Sequence, residues 1–394
     1  MRAYLPLFLL LVVLAVLLRD DAVLTLFYLL IAVFVVGAWW SERALRAVTA
    51  RRVFADHTFP GETVRVRVAV ANSGWLPVVW LRLRESVPVD LSGRRTPQDV
   101  VSLGPRGHAE LEYTVQAHKR GYYPLGPLFL TSGDLLGLND EQQREAAVDY
   151  LTVYPEVVPL TRLALPSRSP LGTLRHPLPI FEDPTRPVGK RDYVSGDSLR
   201  RLDWKATAAV GRLQVKQFEP SIALATMLIV DLAYDGYDLR SRYDASELAI
   251  VVAASIANWV TGQKQAVGLV TNGADPLGGG DRHATPARKG RLHLMRLLET
   301  LARIQLAAHA QPLAELLRRE STLLPWGTTA VVVTGLVDEA VVAALLQARH
   351  AGLNVVLVVA GPAPGVDALR RRLARFGVAV YAVAQRRDLD QWRG

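Results

Sequence analysis

Two apolar runs open the chain: Leu5 to Leu18 is almost unbroken, Arg19, Asp20 and Asp21 interrupt, and Ala22 to Trp40 follows without a charge. A helix crossing a bilayer core needs about 20 apolar residues. The pattern therefore predicts a transmembrane hairpin over residues 1–47, the second run matching that length and the first falling short of it. A cleaved signal peptide fits less well, because a second long apolar run follows at once with no small-residue cleavage site between them. From about Thr49 to Tyr154 the period changes to two. Thr63 to Val70 alternates strictly, Val79 to Arg84 nearly so, and Glu110 to Val115 repeats the alternation, which predicts half-buried strands. Turn clusters at Pro60-Gly61, Asn72-Ser73-Gly74, Ser92-Gly93 and Gly104-Pro105 punctuate them, so residues 48–155 read as an immunoglobulin-like β-sandwich.

Residues 156–189 break both periods. Pro155, Pro159, Pro166, Pro170, Pro177, Pro179, Pro184 and Pro187 argue against any regular element, and the segment reads as a connector. It is either an ordered arm lying across a surface or a mobile link between domains. Residues 190–394 then alternate short apolar runs with helical periodicity. Met227 to Leu232, Ala266 to Thr271, Ala330 to Thr334, Val355 to Val359 and Val378 to Ala382 read as strands. Helices are predicted from a capping box at Asp244 and Glu247 to Gly262, and over Gly290–Ile304, Leu313–Arg319, Asp338–Arg349 and Val366–Phe376. This is the pattern of a doubly wound α/β domain with a mainly parallel sheet. Such folds bind ligands beyond the carboxyl ends of central strands, here near Asp231 and Thr334.

Charge adds topology. The 46 Lys and Arg against 37 Asp and Glu give a net charge of +9. Arg2 precedes the hairpin, and Arg43, Arg46, Arg51 and Arg52 follow it, so the positive-inside rule places both ends on the cytoplasmic side of the inner membrane. These arginines are expected to meet anionic headgroups, and the basicity reads as membrane electrostatics before nucleic-acid binding. The absence of cysteine agrees with a reducing compartment without proving it.

Catalytic motifs are missing. Gly189-Lys190 is followed by Arg191, so there is no phosphate-binding loop, and neither a nucleophile elbow nor a His-Glu-x-x-His pair occurs. Gly278 to Gly280 reads as flexible linker. Asp231, Asp235 and Asp238 are candidate oxygen ligands for Mg²⁺, with loop carboxylates as the plain alternative.

The densest polar stretch runs from Tyr193 to Thr207, flanked by Lys190 and Arg191 on one side and Arg212, Lys216 and Glu219 on the other. Its charges alternate in sign, which argues for ordered pairing. Gly196-Asp197 signals a turn, and Trp204 between Asp203 and Lys205 suits packing or receiving a partner. Asp197 and Asp203 are placed to accept bidentate bonds from Arg191, Arg200 or Arg212. The stretch is therefore a docking surface or an arm held on the α/β domain. A nucleic-acid reading through Lys190, Arg191, Arg200 and Arg201 is opposed by the interspersed Asp197 and Asp203.

Arg191-Asp192-Tyr193, Gly196-Asp197, Arg200, Asp203-Trp204-Lys205 and Leu213 to Glu219, with Arg120-Gly121-Tyr122 and Asp134 to Leu138 upstream, closely resemble the bacterial family called domain of unknown function fifty-eight. The resemblance implies a von Willebrand factor A-like α/β domain and a MoxR-type AAA+ ATPase as partner, in assembly, chaperone-like or envelope-related work. Two departures stand out. Ala209 occupies a position where the family commonly has Arg. Asp231 is followed by Ala233 and Asp235 instead of the Asp-x-Ser-x-Ser of metal-binding von Willebrand A domains, and Gly335 stands where a carboxylate would complete the site. The chain is thus expected to be a non-enzymatic, membrane-anchored adaptor without a cofactor, the alternative being a metal-dependent receptor or enzyme using Asp231 and Asp235.

Overall fold

A computed structural model describes residues 13, 21–92, 96–134, 141–160, 182–194, 202–220, 225–278 and 282–392, without side-chain surroundings for 92, 182–188, 217–220 and 390–392. The chain divides into two compact units, Met1–Pro155 and Glu156–Gly394.

In the first unit the second apolar run forms α1 (Asp21–Arg46), long and apolar enough to cross a membrane by length and composition. Apart from Val13 the first run lies outside the described residues, so only the second helix of the expected hairpin is described. The helix runs past Trp40: Ser41, Ala44 and Leu45 are buried, and Ala44 and Leu45 join the β core that follows. Trp40 donates from Nε1 to the Pro77 carbonyl at 3.0 Å, while Trp39 stays half exposed. The strands are β1 (Val48–Val53), β2 (His57–Thr58), β3 (Thr63–Asn72) and β4 (Val78–Glu85). After the single turn α2 (Val89–Ser92) come β5 (Gln98–Leu103), β6 (His108–Gln116), β7 (Gly121–Leu125), β8 (Leu128–Ser132), β9 (Gln142–Ala146) and β10 (Asp149–Val153). They make three small sheets, ordered β1-β3-β6, β5-β4-β8-β9 and β2-β10-β7. Strict alternation fixes the register: Val64, Val66, Val68 and Val70 of β3 are buried and Arg65 and Arg67 are exposed, because successive side chains point to opposite faces.

In the second unit, residues 156–160 settle the near end of the connector as ordered. Val158 and Leu160 are buried, and the Val158 amide donates to Ser255 Oγ at 2.9 Å. Its far end is a strand, contrary to the reading of the prolines. β11 (Glu182–Asp192) contains Pro184 and Pro187 and pairs with β12 (Gln214–Pro220) across the short helix α3 (Trp204–Val210). Register shifts on both sides of Pro187 accommodate residues that cannot donate to a ladder.

Next come β13 (Thr226–Val230), α4 (Arg242–Gly262), β14 (Val267–Thr271), β15 (His283–Arg288), α5 (Arg291–Arg303) and α6 (Leu313–Leu323). The chain ends through β16 (Thr329–Thr334), α7 (Glu339–His350), β17 (Asn354–Ala360), α8 (Val366–Ala374) and β18 (Ala379–Val383). The sheet order is β15-β14-β13-β16-β17-β18, all parallel except β15. The chain starts in the middle, winds to one edge and returns to wind to the other. The reversal between β13 and β16 opens the crevice in which ligands of such sheets bind.

Two local expectations are corrected. The N-cap of α4 is Ser241 without a side-chain capping bond, so Asp244 sits inside the first turn, where a negative charge still suits the helix dipole. The antiparallel edge strand β15 goes unread in the sequence, because His283 to Arg288 alternates in burial without alternating in hydrophobicity.

Candidate functional site

The polar stretch and its flanks fold into an arm made of β11, α3 and β12. Asp203 is the N-cap of α3: its carboxylate accepts the Ala206 amide at 3.1 Å and its extended backbone starts the helix. Gly211, at φ 71°, closes the helix in the left-handed conformation and donates to the Thr207 carbonyl. The Asp203 amide donates to the Gln214 carbonyl at 2.8 Å and the Tyr193 amide to the Leu213 carbonyl at 2.9 Å, so both flanks of the helix are tied to β12. Leu202, Ala206, Gln214 and Val215 are buried beneath it.

The expected bidentate arginine pairs do not form on Asp203. Its partner is Lys190, 3.0 Å away on β11. The register explains why: Lys190 and Lys216 face each other across the ladder, and like charges directly opposite repel unless an anion intervenes. The Ala206 amide and then Lys190, with Lys216 beyond, hold the Asp203 carboxyl below the usual range. Arg191 donates to the Asp192 carbonyl, Gln214 Nε2 bonds Asp192 Oδ1, and Arg212 lies 3.9 Å from Asp192 on an exposed edge. Gly196, Asp197 and Arg200 fall outside the described residues, as does Arg201. Glu219 lies on β12 with its side chain undescribed.

Beside this tied frame the apolar groups point outward. Trp204 is 68% exposed, Val194 61%, Val210 59% and Leu213 43%, with Lys205 and Arg212 also exposed. Trp204 therefore does not roof the charge network. A seven-residue helix, capped at both ends, offers its indole to solvent.

The second cluster lies at the sheet reversal. Asp231, one residue past β13, is 1% exposed. Its Oδ1 accepts Asn272 Nδ2 at 2.8 Å and the Ala233 amide at 3.2 Å, and its Oδ2 accepts the Thr334 hydroxyl at 2.8 Å. Asn272 also accepts the Leu232 amide and donates to the Gln311 carbonyl, and Tyr237 donates to the Asp231 carbonyl at 2.5 Å. The ends of β13, β14 and β16 are thus stitched through one carboxyl. Burial pushes the Asp231 carboxyl up against the pull of Asn272, Thr334 and Ala233. Gly236 and Gly335 permit the closeness: a Cβ on the first would strike the Asp231 carboxylate and one on the second the Tyr237 ring.

For a divalent cation this is a poor fit. The Asp231 oxygens already take three protein donors, Asp235 is exposed on the following turn, and among the described residues no three His, Asp or Glu side chains gather as a ligand set. Sequence reading singled out Asp231 and Thr334 by position but missed Asn272. Its only signal was its place immediately after the β14 run.

A third arrangement corrects the lipid assignment of Arg52. Its side chain is 4% exposed and makes a two-pronged pair with Glu85, Nε to Oε2 at 3.1 Å and Nη2 to Oε1 at 2.8 Å, while Nη1 reaches Asp149 at 3.0 Å. Gly126, at φ 109°, leaves the room, since a Cβ there would lie 2.5 Å from Arg52 Nη2. Arg43 and Arg51 remain exposed, and so does Arg46, which pairs with Glu42.

Comparison with known proteins gives relatives of undefined role. The chain is 26% identical over 211 residues to the uncharacterized protein YeaD of Bacillus subtilis, covering 53% of this chain and 49% of that protein. It is 32% identical over 119 residues to the uncharacterized protein Rv1480 of Mycobacterium tuberculosis, covering 30% of this chain and 36% of that protein. The matches thus span about half or less of these curated relatives. Among solved structures, an aerotolerance-related membrane protein from Bacteroides fragilis is similar at 14% identity and TM-score 0.31, over 43% of this chain and 94% of that one. The CARDB domain of a Pyrococcus furiosus protein is similar at 20% identity and TM-score 0.21, over 27% and 86% respectively. Both likenesses are faint and bear on no function. The family model described as "Protein of unknown function DUF58" matches residues 189–363, from the end of the arm's first strand to just past β17.

Proposed function

We propose that the chain is a membrane-anchored, non-enzymatic adaptor that offers the arm of its α/β domain to a cytoplasmic MoxR-type AAA+ ATPase. The observation that carries this reading is Trp204, held 68% exposed on a helix whose cap and flanking strands are fully tied. Ordering a large aromatic in water has no folding benefit, whereas indoles are favoured anchors at protein interfaces. The exposed Val194, Val210 and Leu213 extend the same face. The doubly wound order with an antiparallel edge supports a von Willebrand A-like reading of the domain, and the alternating strands of the first unit support an immunoglobulin-like one. The flanking arginines Arg43 and Arg51 support a cytoplasmic exit of α1, as part of a multi-pass anchor in the inner membrane.

The test is co-purification of the detergent-solubilised chain with the candidate ATPase. Trp204→Ala is expected to keep the parent melting temperature and lose the partner. Full retention of the partner, or turnover of a substrate by the purified chain alone, would overturn the reading. A metal-dependent receptor built on Asp231 and Asp235 is the weaker reading, since the first carboxylate is occupied by protein donors. Calorimetric titration with Mg²⁺ and Mn²⁺ is expected to give no heat.

A further inference from the structure

The amino edge of the parallel sheet, opposite the Asp231 end, carries a cluster that the adaptor reading does not use. β15 runs against its neighbours and pairs Arg288 with Val267, the first residue of β14, so the turn from β15 into α5 emerges at that edge. Five successive residues there are exposed: Arg288, Lys289, Gly290, Arg291 and Leu292. Arg296 is exposed one helical turn beyond Leu292 on the same face. Leu292 is 83% exposed, more than any other large apolar residue among those described. Among the described residues no carboxylate pairs with Arg288, Lys289, Arg291 or Arg296.

This arrangement is unfavourable for the isolated domain. The start of a helix carries positive partial charge and is stabilised by anions. α4, α6, α7 and α8 each have an acid in the first turn, and α3 has one at its cap. α5 has none, and places Arg291 there with Arg288 and Lys289 just ahead. Four unpaired cations around a projecting leucine form a surface complementary to one kind of partner. Anionic headgroups neutralise the cations, and the apolar region beneath them takes the leucine. A nucleic-acid duplex would satisfy the cations and leave Leu292 in water. The same chain carries α1, which keeps this domain close to a bilayer and raises the effective concentration of that surface.

We propose that the β15–α5 tip is a second, reversible membrane contact, docking the amino edge of the α/β sheet on an anionic leaflet and leaving the opposite edge, with Asp231, free. The inference adds to the adaptor reading and does not depend on the identity of its partner.

The chain contains no cysteine, so a single one can report. Full-length Leu292→Cys, labelled with an environment-sensitive fluorophore, is reconstituted into vesicles of phosphatidylcholine alone or mixed with phosphatidylglycerol. Leu239→Cys, 77% exposed beyond the carboxyl end of β13, serves as the control site. The Leu292 label is expected to shift to the blue and be quenched by spin-labelled lipid in the anionic vesicles only, with the effect fading as salt rises. The control should not respond. Each basic residue near an anionic surface contributes about 1 kcal/mol, or about fivefold in docking. Adding Arg291→Glu and Arg296→Glu to the labelled chain should therefore abolish the shift with the melting temperature retained. Equal responses in neutral and anionic vesicles, or a blue-shifted label already present in detergent, would overturn the proposal, the second outcome assigning the tip to a protein neighbour.

Discussion

Each unit buries a polar centre, and the two solve the same problem in opposite ways. In the β unit the Arg52 guanidinium meets Glu85 and Asp149, charge against charge. In the α/β unit Asp231 meets only neutral donors, from Asn272, Thr334 and Ala233. A buried charge is costly unless paired or neutralised. The pair keeps the guanidinium charged: burial pulls the Arg52 pKa down, and Glu85 followed by Asp149 outweigh it, leaving it raised. The lone carboxyl is instead driven towards its protonated form. The hydrogen-bond chain permits that, because the Thr334 hydroxyl lies 2.8 Å from Asp231 Oδ2 and 3.1 Å from the Leu336 carbonyl and has a single proton. With Asp231 protonated, its proton goes to Thr334 Oγ1 and that of Thr334 to Leu336, so every oxygen is served. The comparison separates a centre that needs its charges from one that needs only its shape.

Breaking the charged centre should have the largest effect. Arg52→Met strands Glu85, which is fully buried, and is expected to cost about 3–5 kcal/mol. Thermal unfolding in detergent should show it, and adding Glu85→Met should restore most of the loss. A single variant as stable as the parent would mean that water reaches Glu85.

Asp231→Ala comes next, at about 1–3 kcal/mol for donors left without acceptors. Asp231→Asn should be close to neutral below about pH 3.9, where the carboxyl is protonated in the folded and the unfolded chain alike, because the amide reproduces the protonated carboxyl. Its pH dependence sharpens the contrast. A raised carboxyl stabilises the fold fully below its unfolded pKa of about 3.9 and loses that contribution as pH rises through the folded value. Melting temperatures across this range should thus rise for Asp231→Asn relative to the parent as pH increases. A parallel pair of curves would show that Asp231 is ionised throughout.

The arm should respond least. Asp203→Ala removes the cap of a short exposed helix and is expected to lower the melting temperature by about 2–4 °C. Asp203 is held below the usual range, so its contribution is present above about pH 3.9 and lost as pH falls through the folded value. Trp204→Ala, its neighbour, should leave the melting curve in place. If instead Trp204→Ala destabilises and Asp203→Ala does not, the indole is packed and the docking face is misassigned.

Much of the candidate site was readable because it lies in one continuous stretch. Lys190, Asp203, Trp204, Gly211 and Lys216 all belong to the arm, and alternating charge marked it as an ordered polar segment. Their roles were not readable. Whether Asp203 would face an arginine or Lys190 depended on the β11–β12 register, and that register depended on shifts at Pro187. Asp231, Asn272 and Thr334 meet only after 103 residues have wound around the sheet. A side chain's charge and size are local properties, whereas its partner is set by long-range pairing.

By itself the sequence determined the apolar span of α1, the alternating strands of the first unit and the parallel α/β order of the second. Each follows from periodicity, which depends on residues a few positions apart. Tertiary structure alone decided that α1 continues into the β core through Ala44 and Leu45, that Arg52 turns inward to Glu85, that β15 pairs at the sheet edge, and that Trp204 faces out while Asp203 faces in. Burial of an individual polar group is a balance between desolvation and the partner that meets it, and the partner is known only when the distant strands have come together.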